Sequence, residues 1–419
     1  MNNDNPHTPS GYKPSPLGPI PEDWEVKRLG EIGSFKNGLN FTPNEDGFSY
    51  YFLGVSDFQD KTDIHANELN QIQLANELDK EYHLKDDDLV FVRSNGSKSL
   101  VGRCVIIHAN HVKATYSGFC IRFRTTSEET STRYIKHIID AGYLQRFLQY
   151  EGRGTNITNL NQEILGRLTF PLPDLKEQQN ILNVLSLWDT AIAKQTSLIE
   201  QLTLRKRGLM QQLLTGKKRL KGFEGEWKKC TYSNILSEVK RTLIWDEDEL
   251  YKLISVRRRS EGLFFRESLY GREIATKNLR PAKTGDFLIS KMQIVHGASG
   301  LVTEEFDDAK ISGSYISLVS KNSDVLDIKY FNLWSQTPIF YHQTFVSSFG
   351  VHIEKMTFDF DTFMSFSMPL PPIKEQHAIM SLMDSINKEI ELANKKLARL
   401  QEQKKGLMQV LLTGKKRIK

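Results

Sequence analysis

Cysteine is scarce in these 419 residues: Cys104, Cys120 and Cys230 are the only three, and none lies close to another. An odd, sparse set argues against a disulfide framework and fits a reducing compartment. No apolar run approaches the ~18 residues of a membrane span, so no membrane partner is expected. The start, Met1-Asn2-Asn3-Asp4, has no basic stretch followed by an apolar one and reads as no secretory leader. These features predict a cytoplasmic chain. Residues 1–20 are polar and Pro-rich and read as a disordered tail. Catalytic signatures are missing too. There is no Asn-Pro-Pro-Tyr or Asp-Pro-Pro-Tyr motif and no Gly-rich strand-to-helix turn. Thr215-Gly216-Lys217-Lys218 lacks the earlier Gly and the Ser/Thr after Lys that a phosphate loop needs. His108 and His111 have a metal-like spacing but no Cys or carboxylate companions, so surface or packing roles are expected. The reading is therefore of a chain with no catalytic residue, no metal and no cofactor.

What the chain has is a repeat. Residues 369–419 match 171–221 without a gap at a separation of 198, with 22 of 51 positions identical. Each copy opens Pro-Leu-Pro-x-x-Lys-Glu-Gln, at Pro171 and Pro369, and closes Gly-Leu-Met-Gln-x-Leu-Leu-Thr-Gly-Lys-Lys-Arg, ending at Arg219 and Arg417. A period near half the chain means a duplicated domain pair, not a solenoid. Of the net +5, the first copy carries +5 and the second +6, which leaves −6 elsewhere. Net charge alone thus gives no nucleic-acid footprint to the intervening segments.

Each copy reads as a helix. Ile181, Leu185, Trp188, Ile192, Ile199, Leu202, Leu209 and Leu213 follow a 4-3-4-3 spacing, with Gln195 and Lys206 in the gaps. Ile379, Met383, Ile386, Ile390, Ala393, Leu397, Leu400, Leu407 and Leu411 repeat it, with Lys404 in the place of Lys206. This is the period of a coiled-coil seam. Asp174 with Glu177 resembles a capping pair, and Gly216 and Gly414 suit the C-terminal caps. A stripe about 38 residues long, roughly 57 Å at 1.5 Å per residue, needs a partner. The other copy is the simplest one, in antiparallel pairing that would put the two globular units at opposite ends. Gly208 and Gly406 interrupt the runs, as a local bend or as a close backbone approach to the partner helix or another subunit.

Residues 21–170 and 222–368 look mixed and strand-rich, so the predicted class is α/β (α+β): two domains separated by helices at 171–221 and 369–419. The repeat register persists weakly into them. Asp88–Arg93 aligns with Asp286–Lys291, and Gly102 with Gly300. Ser117-Gly118 meets Ser312-Gly313 after a three-residue slip, and each unit begins near a tryptophan, Trp24 or Trp227. Domains that diverge beside helices that do not are expected to meet different targets while the helices meet common partners.

The paired Pro-Leu-Pro-x-x-Lys-Glu-Gln helices and their Leu-Leu-Thr-Gly-Lys ends, in a two-fold layout over nearly the whole chain, resemble the specificity subunit of Type I restriction-modification systems. The resemblance implies a non-catalytic subunit whose two target recognition domains each read one half of a bipartite double-stranded DNA site. It implies helices that space the domains and dock two modification (methyltransferase) subunits, with restriction (translocase/endonuclease) subunits joining through that modification core. The alternative left by the residues alone is a coiled-coil scaffold whose globular domains bind proteins.

Arg and Asn suit guanine and adenine edges, and Ser or Lys suit phosphates. The DNA candidates are therefore Arg93, Ser94, Asn95, Ser97 and Lys98 on the loop after a first-domain strand, with Arg103 beyond it. Arg153, Thr155 and Asn156 before the first helix join them, as do the run Arg257, Arg258 and Arg259, and Lys291, Gln293 and His296 on the corresponding second-domain loop. Gly208, Lys217, Lys218, Gly406, Lys415 and Lys416 are the partner-binding candidates.

Overall fold

Both repeated segments form uninterrupted helices: a central helix, Leu175–Leu214, and a C-terminal helix, Ile373–Leu411. The structure is a computed structural model and describes residues 8–40, 46–59, 61–94, 100–151, 159–350, 352–353 and 356–418. The chain divides into two units. The first comprises residues 1–195 and 396–419, the second residues 196–395. Each unit thus owns one globular domain and one portion of each long helix.

The predicted stripe is the covered face. Ile181, Leu185, Gln195, Leu202 and Leu213 are buried, as are Ile379, Met383, Ile386, Ala393 and Leu411. The remaining stripe positions are half-buried, including Lys206, Leu400 and Lys404. Off the stripe, Leu187, Leu204 and Leu392 are exposed. Within each unit the two helical portions run antiparallel. In the first, Lys404 pairs with Asp189 at 2.5 Å and Arg417 reaches Glu177. In the second, Arg219 reaches Glu375 while Met210 and Leu213 share a core with Ile379 and Met383. Gly208 and Gly406 do not break either helix, and a Cβ at either would meet nothing within 4 Å. The close approach to the partner helix is therefore not made. Gly216 and Gly414 both take φ +71°, the left-handed cap the sequence predicts.

The globular domains share a topology. In the first unit a sheet runs in the order Gly33–Asn37, Cys120–Thr125, Leu89–Val92, Cys104–His108, Asp63–His65. In the second the order is Leu236–Glu238, Tyr315–Ser320, Phe287–Ser290, Ser299–Leu301. A second sheet in each unit is built on a central strand, Phe48–Leu53 or Leu250–Val256. That strand pairs in parallel with Ala114–Tyr116 or Lys310–Ser312, and antiparallel with Gln71–Leu74 or Leu263–Tyr270. Among the described residues short helices complete each domain: Thr132–Asp140, Tyr143–Glu151 and Gln162–Gly166 in the first, and Tyr232–Ile235, Ile328–Trp334, Pro338–Val346 and Phe360–Ser365 in the second. The strands Leu89–Val92 and Phe287–Ser290, predicted as equivalent, are both wholly buried. Their leading aspartates are buried as well, and each is held by a two-pronged arginine of different origin. Arg124 donates to Asp88 at 2.7 and 2.7 Å, and Arg241 to Asp286 at 2.5 and 2.9 Å.

Two expectations change. Residues 8–20 of the expected tail are folded: Tyr12–Lys13 pairs with Ile20–Pro21, and the Tyr12 hydroxyl donates to Gly414 O at 2.8 Å. Its few aromatic and apolar groups find a ready surface at the helix cap. The reciprocal capping pair is only half made. Asp174 accepts from Glu177 N at 2.7 Å, but the Glu177 side chain is drawn elsewhere.

That destination is the same in both units. Glu177 accepts Trp24 Nε1–H at 2.9 Å and the Arg417 guanidinium at 2.6 and 2.7 Å. Glu375 accepts Trp227 Nε1–H at 3.0 Å and the Arg219 guanidinium at 2.6 and 2.7 Å. The start of each helix is thus latched by the tail of the other repeat. The next residue ties the domain down. Gln178 Nε2 donates to Pro173 O and Glu129 O, as Gln376 Nε2 does to Pro371 O and Val325 O. The repeated Glu-Gln is a structural device of the helix–domain junction.

Candidate nucleic-acid interface

In the first unit the strand Leu89–Val92 ends at Arg93 and Ser94, both half-buried. Arg93 N donates to Phe119 O at 2.8 Å, and Leu160 N donates to Arg93 O at 2.9 Å. The base of the Arg93 loop therefore meets both the Ser117-Gly118 turn and the end of the segment that carries Arg153. Asn95, Ser97, Lys98, Arg153, Thr155 and Asn156 lie outside the described residues. Arg103, half-buried, sits where the chain rejoins the sheet, its carbonyl accepting from Val92 N at 2.8 Å. Phe119, 53% exposed, stands at the same place and was missed by sequence reading. A large aromatic directly after Ser-Gly was the available signal.

In the second unit Arg257, Arg258 and Arg259 form the exposed tip of the hairpin joining Leu250–Val256 to Leu263–Tyr270. Arg259 and Ser260 take φ +60° and +56°, backbone that side-chain-bearing residues adopt only at a cost. The tip is held there by the predicted second loop. Arg259 N donates to His296 O at 2.7 Å and Ser260 N to Gly297 O at 2.8 Å. Gly297 has φ +72°, and a Cβ on it would lie 2.1 Å from the Tyr341 hydroxyl. That hydroxyl also meets Ser260 Oγ at 2.8 Å. Arg257 stacks over Phe264 with its guanidinium carbon 4.9 Å from the ring centre and donates to Leu263 O. Lys291 begins the turn that leads to Gln293 and His296, and Gln293 Oε1 is buried with no hydrogen bond to any described residue. Two predicted clusters far apart in sequence thus form one surface. Tyr341 is its unpredicted member, and nothing in the local sequence marks it.

Other groups stay quiet. Burial pushes the Cys120 thiol up to about 12 and raises that of Cys104 further, so neither is a ready nucleophile. His108 stacks on His65 with ring centres 4.7 Å apart and meets Asp63 at 2.9 Å, a packing role. Among the described residues no group of three His, Cys, Asp or Glu could hold a metal ion, and no helix is long and apolar enough to cross a membrane. Lys217, Lys218, Lys415 and Lys416 follow the helix caps; the arginines after them, Arg219 and Arg417, are the latch residues.

Comparison with known proteins agrees with this arrangement. The chain is 26% identical over 443 residues to the putative type I restriction enzyme MjaX specificity subunit of Methanocaldococcus jannaschii, covering 97% of each protein. Over 214 residues it is 32% identical to the StySPI specificity subunit of Salmonella potsdam, covering 48% of this chain and 43% of that one. Among solved structures, a chain from a study of complex assembly and conformational transition of the type I R-M system matches with TM-score 0.62 at 15% identity, covering 94% of this chain and 99% of that one. The HsdS subunit from Thermoanaerobacter tengcongensis matches with TM-score 0.52 at 14% identity, covering 94% and 98%. The family model described as the type I restriction modification DNA specificity domain matches residues 21–204 and again 248–402, and the chain therefore belongs to the family of type I restriction-modification specificity subunits.

Proposed function

We propose that each unit reads one half of a bipartite duplex DNA site. The first does so through Arg93–Lys98, Arg103 and Arg153–Asn156, the second through Arg257–Arg259, Lys291, Gln293 and His296. The observation that carries this is a contrast. Strand order, helix stripe and Glu–Trp–Arg latch repeat between the units, while the sequences of the candidate loops do not. A scaffold used twice with different loops suits two different half-sites. The chain itself supplies no chemistry; methyl transfer and DNA cleavage belong to the modification and restriction subunits that assemble on it in the cytoplasm. The helices act as spacer and dock two modification subunits, with Lys217, Lys218, Lys415 and Lys416 and the open backbone at Gly208 and Gly406 as contact points.

Replacing residues 222–368 with the second domain of another family member is expected to change one half of the modified sequence only. Mapping methylated adenines in host DNA checks this. A change in both halves at once would overturn the two-reader assignment.

A further inference from the structure

We infer that Tyr341 is a positioning residue for half-site discrimination by the second unit: through Ser260 and Gly297 it fixes the turn that carries Arg259. The inference rests on the reading of the Arg257–Arg259 hairpin as a DNA contact. Residues 258–261 close a tight turn, with Glu261 N donating to Arg258 O at 3.4 Å. The two residues between, Arg259 and Ser260, both have positive φ. That is the sign pattern of the type I′ hairpin turn, whose centre favours Asn-Gly because other residues take positive φ only at a cost. Arg-Ser at the centre goes against that preference. Backbone strain of this kind persists only where the surroundings impose it.

The surroundings here are a braced turn and a hydroxyl. The turn Ile294–His296 ends at Gly297, whose N donates to Ile294 O at 2.7 Å. The carbonyls of His296 and Gly297 take the amides of Arg259 and Ser260. The Ser260 side chain is tied separately, sharing a hydrogen bond of 2.8 Å with the Tyr341 hydroxyl. That hydroxyl fills the room a side chain at position 297 would need. Tyr341 in turn stands on a fixed element. Thr337 caps the helix Pro338–Val346, and the neighbouring Phe340 is buried edge-on against Phe287 and Phe331, with ring centres 6.4 and 5.9 Å away. Tyr341 is half-buried, whereas Arg257, Arg258 and Arg259 are exposed. A hydroxyl anchored by the core thus reaches the base of an exposed arginine tip. A long side chain whose aim is fixed before binding loses less freedom on contact and discriminates better. Without the hydroxyl, Ser260 is released toward negative φ, and the aim of Arg259 goes with it.

The test uses the full chain assembled with its modification subunits and a duplex carrying the host's mapped methylation site. Affinity for this duplex is divided by affinity for one with either half scrambled, which gives a discrimination ratio for each half. The exchange of residues 222–368 identifies the half that belongs to the second domain. Tyr341→Phe keeps the ring and should lower the ratio for that half by about fivefold, the size of one neutral hydrogen bond. The other ratio and the melting temperature should stay at wild-type values. Ser260→Ala should match it, and the two together should do no more than either alone. Ser260→Gly, which takes positive φ freely, should restore most of the lost ratio in the Tyr341→Phe background. Failure of that rescue would overturn the inference, because a hydroxyl that touches DNA itself is not replaced by a relaxed turn. Equal loss in both halves, or a lowered melting temperature, would also overturn it and leave Tyr341 a fold residue. Arg259→Gln separates the two levels of the argument. If it lowers the second ratio and Tyr341→Phe does not, the hairpin reads DNA and the positioning role is wrong. If neither variant changes the ratio, the reading of this hairpin as a DNA contact falls, and the inference falls with it.

Discussion

A carboxylate buried as fully as Glu177 or Glu375 is tolerated only when its charge is matched and its lone pairs are filled. Each has an indole N–H and a two-pronged guanidinium for that purpose. Removing the guanidinium leaves the charge stranded. Arg417→Ala is therefore predicted to destabilise the first unit by about 3–5 kcal/mol. Lys416→Ala, one residue away and exposed, should stay within about 0.5 kcal/mol; denaturant melts of the two variants check the contrast. A second residue links stability to pH. Burial, and after it the charge of Lys404, holds the His137 imidazole below its ordinary 6.5, and its Nδ1 has no hydrogen bond among the described residues. The unfolded chain therefore takes up this proton at a higher pH than the folded one. The stability tied to His137 is complete above about pH 6.5 and is lost as the pH falls toward the lowered folded value. Melting temperature followed from about pH 7.5 down to 5.5 should fall more steeply for wild type than for His137→Gln.

At the scale of the element, the helix stripe offers the plainest case. Leu202 is buried, so Leu202→Asp loses the ~2–5 kcal/mol of a buried leucine and adds an unpaired carboxylate. Failure to co-purify with modification subunits is the expected outcome. Lys395→Ala removes only an exposed i,i+4 pair with Glu391 and should be mild. The stripe was legible because a 4-3-4-3 period leaves one continuous face to cover, and the cap glycines because little else takes φ +71°. The latch was not. Glu177 and Arg417 are 240 residues apart, and a sequence window sees Glu177 only as a capping partner for Asp174. The proposed reading loops fall between these cases. Residue type marked Arg93 and Arg257–Arg259, but Tyr341 joins the second cluster through the seat that Gly297 opens for its hydroxyl. That juxtaposition depends on tertiary packing, which local chemistry does not encode.

For the whole molecule the important fact is which stretches of chain complete which unit. The second unit is one continuous stretch, residues 196–395, whereas the first needs residues 396–419 to cover Trp24, Leu182 and Leu185 with Met408, Leu411 and Leu412. A chain ending at Lys395 is predicted to keep the second unit resistant to limited proteolysis while the first is cleaved along residues 175–195. Equal protection of both units would contradict the assignment. The same fact bears on how the protein is made. On a ribosome residues 196–395 emerge before residues 396–419, so the second unit has its full sequence while the first still lacks part of its own. Until residues 396–419 emerge, Glu177 lacks its arginine and the first stripe its cover. The nascent first unit is thus the natural client for a chaperone, and termination before residue 396 would spoil the domain of residues 21–170, far upstream of the lesion.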